Sequence, residues 1–531
     1  MSRSKKENQT SRISRRQFIQ ISAASTALMV GQFAVPGASW SADGNILRIR
    51  NYSDILTLDP AHIKSKNEDI VNECIQNKLI CYKPGDEWGW QPMAAESMKQ
   101  LSPTQIEFKL KPGIMFSNGF GEMTTEDVKF SFERIADPAT KSAYAGDWEL
   151  LETIEIKDKY TGVIVLKKPF APIWMTSLPG MSGVILSKKA MESASGTFTT
   201  NPPACSGPYI LKEWKPKQVT ILVRNPEWTG PKPDFDEVHF YPIDDEKTAE
   251  IGFEAGDLDF TRVSVSSYEM FKSKAGADFD VVNKPSLYYS WMGINMDNPV
   301  LKDVRIRKAL QKATDVDGIM EAAYFGQAKP ATGIIPPGLL GHRPKAINPP
   351  KPDITGAKKL LAEAGYPNGI DVTLDVLNKS TIVTQAQVIQ ASMAEAGIRV
   401  KINVHESGEF WVLGSEKEMK DKVKNIQLIT NRFSSQPDPY WYTMWFVSEQ
   451  VGVWNWERFS NPEFDKLHQE AAVETDPAKR DQMYQRMQDL MEESGCYRFI
   501  THESAPIVYR KSIVPAMTPE GIPLVRFFKK A

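Results

Sequence analysis

Between residues 431 and 456 the chain gathers side chains suited to holding a small molecule. Arg432 offers a planar guanidinium fork that matches a carboxylate. Close behind it come Tyr440, Trp441, Tyr442, Trp445 and Phe446, then Trp454, Asn455 and Trp456. Aromatic faces at that density can stack on an apolar side chain, a ring or a sugar face. Trp441 and Trp445 are four apart, a spacing that serves a helix packed into a core as well as a ligand wall. Groups arranged to transform a ligand are scarce. The chain has no G-x-S-x-G, no G-x-G-x-x-G, no phosphate-cradling loop and no H-E-x-x-H. His62, His239, His342, His405, His468 and His502 stand singly, and no spacing of carboxylates marks an acid/base pair. The residues therefore read as binding rather than catalytic, with no catalytic residue, no metal ligand and no cofactor assigned.

The rest of the chain must position such a site. Its 531 residues amount to several domains' worth of chain, with ample length for a large core. The 64 basic residues against 66 acidic ones argue against a nucleic-acid binder, which would be strongly basic. No internal run of 18 apolar residues forms a membrane span, and collagenous, disulfide-framework and coiled-coil classes are excluded.

Residues 1–41 read as an address. A basic start leads to Ser14-Arg15-Arg16-Gln17-Phe18, an apolar run over Ile21–Val35 and small residues at Ala38, Ser39 and Ser41. That order makes a secretory signal peptide, and the paired arginines before a large apolar residue resemble the twin-arginine export signal. Cutting after Ser41 removes six basic residues and one acidic residue, leaving a formal charge of −7. The expected mature protein is acidic, soluble and periplasmic. In that oxidising compartment Cys74, Cys81, Cys205 and Cys496 permit one or two disulfides, with three full pairings open.

The first half reads as sheet. Strands are predicted at Leu47–Tyr52, Gln105–Leu110, Gly162–Leu166, Tyr209–Trp214 and Val219–Arg224, with a helix opening at Thr124-Thr125-Glu126-Asp127. The second half alternates. Asp303 and Thr355 cap helices, Ile370–Leu377 and Ile398–Val404 read as strands around a helix over Ile382–Ala396, and Gly365 and Gly397 act as stops. That succession is a βαβ unit with parallel strands. Asn461-Pro462 and Asp476-Pro477 each set a cap before Pro at the first helical position, and Ala505–Tyr509 returns to strand. The fold class is α/β, in two lobes split near residue 294.

Six phrases recur in a telling order. They are Lys111-Pro112-Gly113 through Asn118-Gly119 with Thr124–Val128; Ser206-Gly207-Pro208-Tyr209; Glu254-Ala255-Gly256-Asp257; Asp303-Val304-Arg305; Ala364-Gly365-Tyr366-Pro367; and Asn461-Pro462-Glu463-Phe464. In this order and spacing the chain resembles the family 5 extracellular solute-binding proteins of bacterial ABC importers, over essentially all of its mature length. Each phrase also has a structural reading as turn, cap or stop, so none is taken as a site.

The resemblance implies a periplasmic-binding-protein fold with a hinge and an interlobe ligand cleft. The first lobe would be 42–294 with a C-terminal return over 504–531, and the second 295–503. It implies a monomer that captures peptides or peptide-like solutes and delivers them to an ABC permease and its ATPase. Such a protein meets the membrane only through the permease and binds no nucleic acid. In peptide-binding members an Asp upstream of an Asp-Pro pair takes the α-ammonium. Here Asp438-Pro439 matches the pair, while Ser435 falls where that Asp would stand. A ligand without a free amine, such as an opine, an oligosaccharide or a metal chelate, therefore stays open. Trp454, Asn455 and Trp456 fall in a stretch that lines the cleft in the family, and Tyr52 lies at a cleft position after the first strand. The site expected from all this is Tyr52, Arg432, Ser435, Asp438, Trp454, Asn455 and Trp456. The rival reading is an enzyme exported by the twin-arginine route, which would carry a bound cofactor.

Overall fold

The computed structural model describes residues 45–531, so the leader expected over 1–41 lies outside the described residues. Leu47–Ala531 forms one compact unit. Its organising feature is an 11-stranded mixed sheet. Along the sheet the strands run Tyr209–Lys215, Val219–Arg224, Glu237–Pro242, Ile46–Asn51 and Phe260–Arg262, then Tyr497–Arg510, Phe279–Ile294, Leu428–Phe433, Ile370–Leu377 and Ile398–His405, with Lys329–Pro330 attached to Tyr497–Arg510. A separate four-stranded antiparallel sheet holds Ala95–Ser102, Gln105–Leu110, Thr161–Leu166 and Leu151–Ile156.

Local chemistry accounts for most of these elements. Thr124 and Asp127 form a reciprocal capping box on helix Thr125–Ala136, whose Val128, Phe132 and Ile135 pack beneath the four-stranded sheet. The expected βαβ unit is present. Ile370–Leu377 and Ile398–His405 pair in parallel, and helix Ser380–Glu395 crosses between them with Ile382, Ala386, Ile389 and Met393 buried. Gly397 ends that helix at φ +83°, and the turns that open the two parallel strands approach so closely that a Cβ on Gly369 would sit 1.8 Å from the Gly397 carbonyl oxygen. Asp303, Asn461 and Asp476 cap their helices as expected. Thr355 does not. Its helix, Ile354–Glu363, begins earlier, because the Asp353 carboxylate accepts the Gly356 N–H and closes the first turn from outside. The four cysteines are buried free thiols, which corrects the expected disulfides. Among the described residues no helix is long and apolar enough to cross a membrane.

Two long strands carry the topology. Phe279–Pro285 pairs with Ser504–Arg510, the register breaks before Tyr289, and Tyr289–Gly293 then pairs with Tyr497–His502. Past the break, Tyr289–Ile294 also gains Leu428–Phe433 on its other edge. The large buried clusters sort on either side of this break. Three draw on residues 47–271 and 507–528, and three on residues 287–500.

Candidate functional site

Strand Leu428–Phe433 ends beside the register break, and the chain leaves it through Ser434, Ser435, Gln436 and Pro437. These four residues face three connected cavities. The first, about 260 Å³, has Arg50, Tyr52, Asn67 and Arg262 on one side and Tyr288 and Ser434 on the other. A smaller one of about 110 Å³ shares Lys66, Ser435 and Glu520 with it and extends to Asp147 and Gln436. The third, about 380 Å³ and aromatic, shares Tyr288 and Ser434 with the first and is walled by Trp411, Phe433, Trp445 and Trp454. Residues from both cluster sets thus line one continuous cleft.

Of the expected residues, Tyr52, Arg432, Ser435 and Trp454 line this cleft. Tyr52 lies under the Arg50 guanidinium, 4.4 Å from its ring centre, and its backbone N–H donates to Asn67 Oδ1 at 3.0 Å. Burial pushes its phenol up, against the pull of Arg262 and Arg50. Trp454 meets Phe433 and Trp445 edge-on, at 6.0 and 5.8 Å between ring centres, and keeps part of its surface open to the cavity. Ser435 brings a hydroxyl, not a charge, to the junction of the two smaller cavities.

Arg432 differs from the expectation in how its fork is used. Nε and Nη2 both donate to the Glu503 carboxylate, the latter at 2.7 Å to Oε2, and the guanidinium lies 3.7 Å from the centre of the Tyr288 ring. Burial lowers the Arg432 pKa, but Glu503 more than reverses this and leaves it raised. The fork that was expected to take a ligand carboxylate therefore ties strand Leu428–Phe433 to Tyr497–Arg510 across the long strand Phe279–Ile294 that lies between them.

Three expected residues have their polar groups or surface taken up within the protein itself, although Asp438, with Arg480, also borders a separate cavity of about 700 Å³. Asp438 is 1% exposed and forms a bidentate ion pair with Arg480, 2.8 Å from Nη1 to Oδ2 and 2.7 Å from Nη2 to Oδ1. Asn455 is wholly buried. Its amide donates to the carbonyls of Phe446, Val447 and Phe459, and its Oδ1 accepts from Phe459 N–H. Trp456, 2% exposed, fills a core with Phe410, Leu413, Ile426 and Ile429, and its indole donates to the Val453 carbonyl at 3.0 Å. Beside it Glu457 is buried against the Trp291 indole N–H at 2.7 Å, and desolvation raises its carboxyl to about 7.

Sequence reasoning missed Arg50, Asn67, Asp147, Arg262, Tyr288, Trp411, Gln436 and Glu520. They come from eight separate places along the chain, and only the fold collects them. Gln436 had a usable signal, since it directly follows Ser435; the others had none. Among the described residues no group of three or more His, Cys, Asp or Glu is placed to hold a metal ion.

Residues 89–453, more than half of the chain, match the family model described as bacterial extracellular solute-binding proteins, family 5 middle. The chain belongs to that family. Among its relatives is the probable D,D-dipeptide-binding periplasmic protein DdpA of Escherichia coli strain K12, 28% identical over 495 residues that span 90% of this chain and 92% of the relative. The glutathione-binding protein GsiB of Shigella flexneri serotype 5b is 25% identical over 393 residues, 72% of this chain and 74% of that one. The structure of HbpA2 from Haemophilus parasuis superposes with a TM-score of 0.82 at 24% identity, covering 92% of this chain and all of that one. For this solute-binding protein the fold is thus the two-lobed periplasmic-binding-protein fold, with its hinge and interlobe cleft.

Proposed function

We propose that this solute-binding protein captures peptides or peptide-like solutes for an ABC importer, without transforming them. The observation that carries the reading is the cleft itself. Its walls come from both lobes and offer aromatic faces, hydroxyls and charged groups, in a fold whose relatives are named for a D,D-dipeptide and for glutathione. Ligand that contacts both walls favours the closed arrangement by the contacts it makes only there. The pivot is the register break at Pro285–Tyr289 and its partner stretch His502–Ser504, joining a lobe of 42–294 and 504–531 to one of 295–503. Residues 289–294, at the end of the first stretch, then move with the second lobe. The protein works as a periplasmic monomer, exported by its twin-arginine leader, and hands ligand to a permease driven by an ATPase.

The test is native mass spectrometry of the protein purified from the periplasm, with identification of what denaturation releases. Calorimetry then follows with L,L- and D,D-dipeptides, their N-acetyl forms, glutathione, an opine and a nickel–histidine chelate. A dipeptide or glutathione bound at micromolar or tighter affinity, about −8 kcal/mol, supports the reading. Preference for the opine or the chelate keeps the capture role and changes the ligand class. A stoichiometric redox cofactor overturns it in favour of an exported enzyme.

A further inference from the structure

The smallest cavity of the cleft is bordered by four carboxylates, Asp69, Glu73, Asp147 and Glu520, and by one ammonium, that of Lys66. Two of the four are already answered from within the protein. Lys78, fully buried, pairs with Glu73 and stands 3.6 Å from Asp69, and Lys66 stands 3.6 Å from Asp69 on its other side. Glu520 also borders the larger chamber, whose wall carries Arg50 and Arg262. Asp147 differs from all three. It touches only the small cavity, and among the described residues no Lys, Arg or His forms an ion pair with it. Its contacts are neutral: the Ser182 hydroxyl donates to Oδ2 at 2.8 Å, and the Gln436 side chain reaches it from the opposite wall.

The carboxylate is also held in place. The Ser177 hydroxyl donates to the Asp147 carbonyl at 2.7 Å. The next residue, Trp148, is buried, stacks on Phe132 at 4.2 Å and donates its indole N–H to the Ser182 carbonyl at 3.0 Å. Desolvation raises the Asp147 carboxyl despite both neutral hydrogen bonds and the more distant Lys66 ammonium, which itself stands 3.6 Å from Asp69, so no cation is in direct contact with Asp147. The phenols of Tyr82 and Tyr144 on the same cavity are pushed up, first by burial and next by Asp69, with Asp147 adding to both. The field in the cavity is negative. Its volume of about 110 Å³ takes a group the size of an ammonium with a few waters, each water claiming about 30 Å³.

We propose that Asp147, with Gln436 facing it, is the receptor for a protonated amine on the ligand. The ammonium donates to the Asp147 carboxylate from the first-lobe side and to the Gln436 side-chain oxygen from the second, once that amide turns its oxygen inward. One cation then bridges both walls, so binding it stabilises closure. This deepens the capture reading and rests on it, naming ligands with a free ammonium as the preferred class.

The experiment compares Ala-Ala dipeptides, L,L and D,D, with their N-acetyl forms by calorimetry, on the wild-type protein and on Asp147→Asn, Gln436→Lys and Glu520→Gln. In the wild type the free amine binds at least about tenfold tighter than the acetylated form, or about 1.4 kcal/mol. In Asp147→Asn that ratio collapses to within about twofold. Gln436→Lys serves should Asp147→Asn fail to fold, because the lysine ammonium occupies the receptor and likewise abolishes the preference. Wild-type binding of both forms alike, or an unchanged ratio in Asp147→Asn or Gln436→Lys, overturns this inference and leaves the capture reading standing. So does loss of the preference in Glu520→Gln with its retention in Asp147→Asn. No binding of either form by the wild type overturns the inference together with the peptide reading.

Discussion

Trp454 and Trp456 are two residues apart and share a side-chain type, yet they belong to different parts of the molecule. Trp454 meets its neighbours edge-on and leaves one face to the aromatic cavity. Trp456 is enclosed by Phe410, Leu413, Ile426 and Ile429, with its indole N–H spent on Val453. The same division runs along the whole segment from 431 to 459. Ser434, Ser435 and Gln436 border cavities, whereas Asp438 and Asn455 have their polar atoms taken by Arg480 and by backbone groups. A side chain recognises ligand through bonding capacity and surface that the fold leaves unused. In the frame both are consumed by the protein itself; along the wall they remain.

Breaking the buried pair tests the frame most severely. Asp438→Ala strands the Arg480 guanidinium in a site that burial alone would make unfavourable for charge, and should cost about 3–5 kcal/mol of stability. Chemical denaturation reads it directly. A wild-type midpoint with ligand affinity lost would move Asp438 from the frame to the wall. Trp456→Ala comes next and empties a core, at about 3–5 kcal/mol of stability with the upper end reached only where the surroundings fail to collapse. Ligand affinity of the molecules that remain folded should stay near wild type. Reduced affinity at unchanged stability would make this tryptophan a contact residue after all. The smallest effect is at the wall, where Trp454→Ala should weaken ligand binding by about 1–2 kcal/mol and shift the thermal midpoint little. If the midpoint falls as far as for Trp456→Ala, the contrast between the two tryptophans disappears.

The local elements were readable because their signals are local. A capping box at Thr124, Pro at the first position after Asn461 and Asp476, and Gly397 at a positive φ each act within one turn of chain. Thr355 shows the limit, since two residues upstream a stronger acceptor, Asp353, was available. The long strand Phe279–Ile294 escaped notice for another reason. Its first seven residues are only partly buried and carry no clean alternation, so its length comes from pairing with Tyr497–Arg510 rather than from its own pattern. The site was legible only in part. Tyr52, Ser435 and Trp454 face the cleft, but Arg432 has its fork occupied by Glu503, a residue 71 positions away.

Composition, phrase order and the βαβ succession, read without coordinates, determined the fold class and the family resemblance. They depend on residue types within short windows and on the order of those windows. Which groups are spent and which are left for a ligand was decided only by the tertiary structure. Asp438 meets Arg480 from 42 residues away, and Asp147 faces Gln436 across a cleft with no direct ion pair among the described residues. Pairing and desolvation are properties of neighbours in space, and no spacing along the chain encodes them.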